Sequence, residues 1–341
     1  MAGIKHVLSA MAVSMALVSA AQAAPLEMNF QSNWGSAQKQ NADAIEPWAK
    51  SFAEKSGGDM VMHMFYVGGI VEATASAEAL KSGMLDAAAW SIQDPTKMPY
   101  MQLTSIPYLA KDQAHAYRVL TKIMENVPEL KAEIDSVGVL LSTSSSAPYM
   151  IASRDIPVRS PADIKGKRVL SASPSFGDFI EAWGGIPVTV TPGDIYIGLQ
   201  RGMGEMFLCG VSCIKGFRVQ EICKYLTDLG MASSAIFSFS INRDLFEKDM
   251  TQAQRDLTLE LSRDLGKNVL DSFLNDVANA YKEFEAAGCQ VIRTDEEEMN
   301  QFAEQARAYM TPTHIRKAKD AGVADPEAVI KKYMEIAATV D

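Results

Sequence analysis

The sequence predicts an α/β protein of two lobes, with mixed sheets flanked by helices and one long helix spanning both lobes. Three observations carry this. Strand-length apolar runs alternate with helically spaced segments between residues 26 and 90, which puts helices on the faces of a sheet. The same alternation returns between residues 149 and 209. A periodic segment over 251–287 would span about 55 Å as a single helix, more than one small domain needs.

The elements follow in chain order. Residues 26–31 form a first strand. Residues 37–55 carry helical spacing through Ala44, Ile45, Trp48, Ala49 and Phe52, and Gly57-Gly58 stops the helix. Residues 60–66 alternate as a strand, residues 73–81 form a helix ending at Gly83, and 85–90 is a short buried strand. In the second block, Ser160-Pro161-Ala162-Asp163 reads as an N-cap with Pro at the first helical position. Residues 149–153 and Val158 flank an expected domain crossing, and strands are expected at 167–171, 188–190 and 206–209. Helices are expected at 176–183, closed by Gly184-Gly185, and from the Thr191-Pro192-Gly193-Asp194 cap to Arg201. Thr251 and Gln254 form a capping box, and Leu257, Leu261, Leu265, Val269, Phe273 and Val277 share one face of the helix that follows. Gly288 ends that helix, and Gly266 is a candidate kink. The tail 295–341 adds two or three helices.

The N-terminus is of a different kind. Residues 1–6 carry Lys5 and no acid, residues 7–20 are apolar, and Ala21-Gln22-Ala23 fits a small-x-small cleavage site. This is the layout of a secretory signal peptide, so a mature chain beginning at Ala24 in the periplasm is expected. No later stretch offers 18 apolar residues, so direct membrane insertion is not expected. The division expected is 1–23 signal peptide, 24–148 plus 235–265 first lobe, and 149–234 plus 266–341 second lobe.

Composition narrows the function classes. Hydrophobic content of 48% and charged content of 22% are those of a globular protein. From Ala24 onward 42 acids face 31 Lys and Arg, a net charge of −11 that opposes nucleic acid and anionic lipid. The four cysteines, Cys209, Cys213, Cys223 and Cys289, lack a C-x-x-C pair and a neighbouring His, which argues against zinc. After export a disulfide is reached most easily among the first three; buried free thiols are the alternative. No cofactor motif stands out. Gly202-Met203-Gly204 lacks the third Gly of a dinucleotide fingerprint, Gly210-Val211-Ser212-Cys213 lacks the last Gly of a nucleophile elbow, and no H-E-x-x-H occurs. An enzyme is not expected. Two hinged lobes would hold a small solute in the crevice at the carboxyl ends of the strands.

Five segments carry a resemblance. They are Glu78-Ala79-Leu80-Lys81-Ser82-Gly83-Met84-Leu85-Asp86; Ser160-Pro161-Ala162-Asp163-Ile164-Lys165-Gly166; Ser173-Pro174 through Trp183-Gly184 to Pro187-Val188; Ile195-Tyr196 through Leu199-Gln200-Arg201-Gly202; and Lys224-Tyr225-Leu226-Thr227. In this order the chain resembles the solute-binding subunits of tripartite ATP-independent periplasmic (TRAP) transporters, of the dicarboxylate-binding type. The resemblance implies a periplasmic-binding-protein-like fold and partnership with two membrane subunits. It also implies an Arg after the D-L-K-G turn, whose guanidinium would hold a solute carboxylate by paired hydrogen bonds.

Here the chain departs from the family. Gly166-Lys167-Arg168-Val169-Leu170-Ser171 sets Leu170 or Val169 at the Arg position, and Arg168 serves only if the register slips. After the following helix, Glu205-Met206-Phe207-Leu208-Cys209 is more apolar than the family pattern. The expected solute is therefore a small amine, amino alcohol or polyol rather than a simple dicarboxylate. Aromatic faces attract an ammonium group, and a carboxylate neutralises it. The candidate ligand-binding residues are Trp34, Tyr66, Glu72, Trp90, Tyr149, Arg168, Leu170, Phe207 and Cys209, with Phe65 and Phe176 nearby. Core or hinge packing is the competing reading for Trp34, Tyr149 and Phe207; a solvated helix-start acid is that for Glu72. A carboxylate receptor with a displaced Arg, or a ligand-presenting sensor component, are the alternative functions.

Overall fold

The computed structural model describes residues 24–341 except 92–96, 172–174, 211–213, 215, 231 and 234–235. The expected signal peptide and cleavage site, Cys213 and the Ser173-Pro174 motif lie outside the described residues.

Two sheets organise the chain. The first joins β1 (Leu26–Gln31), β2 (Met60–Phe65), β3 (Ala87–Ser91), β4 (Val139–Ser145) and β10 (Ile236–Ile241) in the order β2-β1-β3-β10-β4. The second joins β5 (Tyr149–Ser153), β6 (Arg168–Ser171), β7 (Ile186–Thr189), β8 (Met206–Gly210), β9 (Tyr225–Asp228) and β11 (Gln290–Arg293) in the order β11-β9-β5-β8-β6-β7. Strands separated by helices pair in parallel, as β1 does with β2 and β3. The chain crosses from the first sheet to the second between β4 and β5, and returns between β9 and β10. At these two crossings the arriving strand enters antiparallel, β5 against β8 and β9 and β10 against β3 and β4, whereas β11, reached by a third crossing along the chain, pairs in parallel with β9. The sheets are mixed for that reason.

Alternation along the strands fills both faces of each sheet. In β3, Ala87 and Ala89 join Phe30, Trp48, Phe52 and Phe239, while Ala88 and Trp90 join Leu80, Val119 and Tyr333 on the opposite face. In β6, Val169 packs with Trp183 and Phe302, and Leu170 with Phe207 and Phe284. Full burial of one such large apolar side chain is worth about 2 kcal/mol.

The helices are α1 (Glu46–Lys55), α2 (Ser76–Lys81), α3 (Pro99–Leu103), α4 (Gln113–Asn126), α5 (Pro128–Asp135), α6 (Pro161–Ile164), α7 (Ser175–Ala182), α8 (Ile195–Gln200), α9 (Gln252–Ser262), α10 (Leu265–Ala286), α11 (Glu296–Asp320) and α12 (Pro326–Ala338). The expected capping box of Thr251 with Gln254 forms, and the expected N-cap at Ser160 is itself a capping box with Asp163. The single helix expected over 251–287 is two. It breaks at Arg263–Asp264, and Gly266 then seats α10 against β4. A Cβ on Gly266 would stand 1.7 Å from the Thr143 carbonyl oxygen, and the Gly266 N–H donates to Ser142 Oγ at 3.0 Å. Only glycine lets the backbones approach this closely.

α10 still spans both lobes. Its start buries Leu265, Val269 and Phe273 in the first lobe, and its end buries Ala280 and Phe284 in the second. α11 also bridges, with Phe302 and Met310 in the second lobe and Ala318 in the first. Within the segment 266–341 assigned above to the second lobe, α12 places Tyr333 and Ala337 in the first-lobe cluster around Trp90.

Candidate functional site

The carboxyl ends of β1, β3, β6 and β8 lie on the side of the two crossings, which is where the solute crevice is expected. From the first lobe, Asn33 and Trp34 follow β1. The Trp34 indole is 5% exposed and lies between Phe237 and Phe273, with ring centroids 5.0 and 6.0 Å away. Asn33 Oδ1 is buried and takes part in no hydrogen bond, so an acceptor stands idle beside the crevice. The next turn is shaped from beneath by the fully buried Gln31. Its Oε1 accepts from the Ile70 and Val71 N–H groups at 3.0 and 2.9 Å, and its Nε2 donates to the Val71 carbonyl.

Tyr66 and Glu72 lie on this same turn. The Tyr66 hydroxyl donates to Glu46 Oε1 at 2.9 Å, and that bond raises its pKa above the usual phenol range. Glu72 is exposed beside Gly68. Trp90 is placed differently: its indole is fully buried inside the first lobe and its Nε1–H donates to Ser240 Oγ at 3.1 Å. The residue that reaches the end of β3 is Ser91.

From the second lobe, Tyr149 opens β5 at the crossing. Its ring meets Phe176 and Phe179 edge-on at 4.8 and 5.4 Å, its hydroxyl is bonded to Ser233, and its N–H donates to the Gly230 carbonyl. Burial pushes the Tyr149 pKa up to about 12. Ser146 Oγ donates to the Ser233 carbonyl at 2.9 Å, so both crossings are tied at one point. Tyr149, Phe176, Ser146 and Ser233 therefore stand together between the lobes, a neutral aromatic and hydroxyl wall.

The remaining candidates fall elsewhere. Leu170 and Phe207 are fully buried, and Cys209 is 1% exposed. Leu170 fills the space left by two glycines: a Cβ on Gly204 would be 2.8 Å from it, and one on Gly198 would be 3.1 Å. Val169 points into the opposite core. Neither side chain at the family's Arg position opens on the crevice. Arg168 sits at the amino end of β6, the far edge of the sheet, where its Nη2 donates to the Gly202 carbonyl at 3.0 Å and faces Glu205 at 3.6 Å. Arg293 ends β11 and is engaged: its guanidinium lies 4.5 Å over the Tyr281 ring and reaches Glu285 at 4.0 Å.

Sequence reading missed Asn33, Gln31, Ser146 and Ser233. Polar residues just past an apolar run are a usable signal for the first two. Ser146 and Ser233 meet only through the crossings. Among the described residues no group of His, Cys, Asp and Glu could hold a metal ion, and no helix is long and apolar enough to cross a membrane.

Comparison with known proteins adds the following. The model of the DctP family, bacterial extracellular solute-binding protein family 7, matches residues 30–316. A solute-binding protein of Albidiferax ferrireducens is 22% identical over 267 residues, 77% of this chain and 78% of its own. The 2,3-diketo-L-gulonate-binding periplasmic protein of Escherichia coli is 22% identical over 177 residues, 51% of this chain and 53% of its own. Among solved structures, a marine metagenome TRAP solute-binding protein specific for aromatic acid ligands, in complex with metahydroxyphenylacetate, superposes with a TM-score of 0.75 at 16% identity, covering 93% of this chain and 99% of its own. A TRAP periplasmic solute-binding protein of Chromohalobacter salexigens with bound D-glucuronate gives a TM-score of 0.73 at 16% identity, covering 91% and 99%.

Proposed function

The chain belongs to family 7 of the bacterial extracellular solute-binding proteins, the TRAP-type periplasmic receptors, and from that premise we propose that it captures a small polar organic solute other than a simple dicarboxylate and delivers it to two TRAP membrane subunits. The family is one of transport proteins, not enzymes. An amino alcohol or a polyol suits the crevice best. The observation that carries this reading is the burial of Val169 and Leu170, which leaves the β6 position without a guanidinium. Among the described residues at the crossings, Asn33, Tyr149, Ser146 and Ser233 offer neutral polar groups, beside the carboxylate of Asp228, whose Oδ1 accepts from the Gly230 N–H at 2.8 Å. Neutral donors and acceptors match hydroxyl groups, and the aromatic rings of Tyr149 and Phe176 supply faces for an ammonium or a C–H surface.

Capture follows from the two crossings and α10. Open and closed arrangements of the lobes exchange, and a solute touching both walls favours the closed one by its extra contacts there. The membrane subunits then receive the closed form.

One observation favours a second reading. The fold neighbours bind acids, among them mandelate, metahydroxyphenylacetate and glucuronate. A carboxylate could be held here by neutral N–H and O–H donors with no guanidinium. Isothermal titration with ethanolamine, small polyols, succinate and aromatic monoacids separates the two. Binding of amino alcohols or polyols alone supports the first reading, binding of monoacids alone supports the second, and tight succinate binding contradicts both.

A further inference from the structure

We infer that Cys223 and Cys289 form a disulfide in the exported protein, stapling the second-lobe end of α10 to the start of β9. Cys209, Cys223 and Cys289 all lie in one buried cluster, 1%, 4% and 8% exposed. Register decides which of them can meet. Cys209 and Asp228 both pair with Met150, so they stand level on opposite sides of β5. Cys223 lies five residues before Asp228, about 16 Å further along at roughly 3.3 Å per residue. Bridged cysteines need their Cα atoms within about 7 Å, so Cys209 reaches neither Cys223 nor its neighbour on β11. This removes the Cys209–Cys223 pair from those the sequence left open.

Cys289 is placed well. β11 pairs in parallel with β9, Gln290 opposite Tyr225, and the Gln290 N–H donates to the Lys224 carbonyl at 2.8 Å. One residue back, Cys289 faces Lys224, and Cys223 is the next residue along. Adjacent chains about 4.8 Å apart with a one-residue offset give a Cα separation of about 6 Å, within the disulfide range, and Cys223, which lies ahead of the regular strand, turns its side chain into the same buried cluster as Cys289. The Cys289 Sγ already touches the Cys223 backbone, donating to its carbonyl at 2.9 Å.

The chemistry balances. One thiolate attacks an incoming disulfide, such as oxidised glutathione or the disulfide of a periplasmic oxidase, and forms a mixed disulfide. The second thiolate displaces the carrier, which leaves as two thiols holding the two electrons and two protons that the cysteines lost. Burial and the nearby Cys289 thiol push Cys223 up to about 12, and burial raises Cys289 as well. Thiols held this high are slow nucleophiles in the folded protein, so the bond forms while the segment folds after export. The export reading enters only as the source of oxidant.

The test exports the full chain to a host periplasm, blocks free thiols with iodoacetamide and digests with trypsin without reduction. The expected product joins peptide 219–224 to peptide 283–293, two hydrogens lighter than their sum and split by reductant. Reduction should lower the melting temperature of this protein on the order of 5 °C, and leave that of a Cys223→Ser/Cys289→Ser variant unmoved. Recovery of both peptides as alkylated thiols, or of either cysteine linked to Cys213, overturns the inference. A solute titration on the same sample keeps the two proposals apart: binding by protein with both thiols free defeats the bond alone.

Discussion

Leu170 shows what one residue decides. Its side chain is clasped by Gly198 and Gly204 and stacked beside Phe207, with no exposed surface. An Arg introduced there would bury an unpaired charge instead of meeting a solute. Leu170→Arg should lower stability by about 3 kcal/mol or more by urea denaturation and gain no affinity for succinate. A folded variant that binds succinate tightly would mean that position 170 faces the crevice. His314 is a second case. It is 7% exposed on α11, its Nδ1 has no partner, and burial, with Lys317 adding, pushes its pKa down to about 4. The fold thus holds the neutral ring, while the unfolded chain protonates near 6.5. Its contribution is present above that value and is lost as pH falls from about 6.5 to 4. The stability difference between wild type and His314→Gln should change by about 3 kcal/mol between pH 7 and pH 4, read from urea midpoints; a constant difference would place a partner on Nδ1.

Elements were legible where the pattern is local. β1 falls on its expected residues, and the caps at Ser160 and Thr251 mark helix starts because the cap and its partner are three residues apart. β4, β10 and β11 escaped. β4 is serine-rich, and β10 pairs with strands about a hundred or more residues away, so neither carries a partner in its own neighbourhood. The helix break before Gly266 was legible only as a candidate kink at that glycine: apolar spacing continues through it, and the Thr143 carbonyl that Gly266 packs against lies on a distant strand. Gly266→Ala therefore tests the element. The new methyl group meets backbone that cannot turn aside, so about 3 kcal/mol of stability should be lost, with α10 pushed off β4. An unchanged urea midpoint would show that α10 is not seated there.

At the scale of the molecule, sequence conveyed the two lobes, the spanning helix and the family, because these rest on order and period along the chain. The crevice was only partly visible. Trp34 and Tyr149 stand by the crossings, where the crevice is proposed, while Trp90, Leu170, Phe207 and Cys209 turn into cores because strand alternation sends them to a packed face. Asn33, Ser146 and Ser233 come together only through the crossings. The proposed crevice receives its solute without a β6 guanidinium. The measurement that tests it most directly is a thermal-shift screen of the purified protein against amines, amino alcohols, polyols, monoacids and dicarboxylates. A ligand that binds the folded state alone adds about 2.7 kcal/mol of stability at a hundredfold excess over Kd, and the melting temperature rises accordingly. The account predicts clear shifts with amino alcohols or polyols and none with dicarboxylates. Shifts confined to dicarboxylates would contradict it.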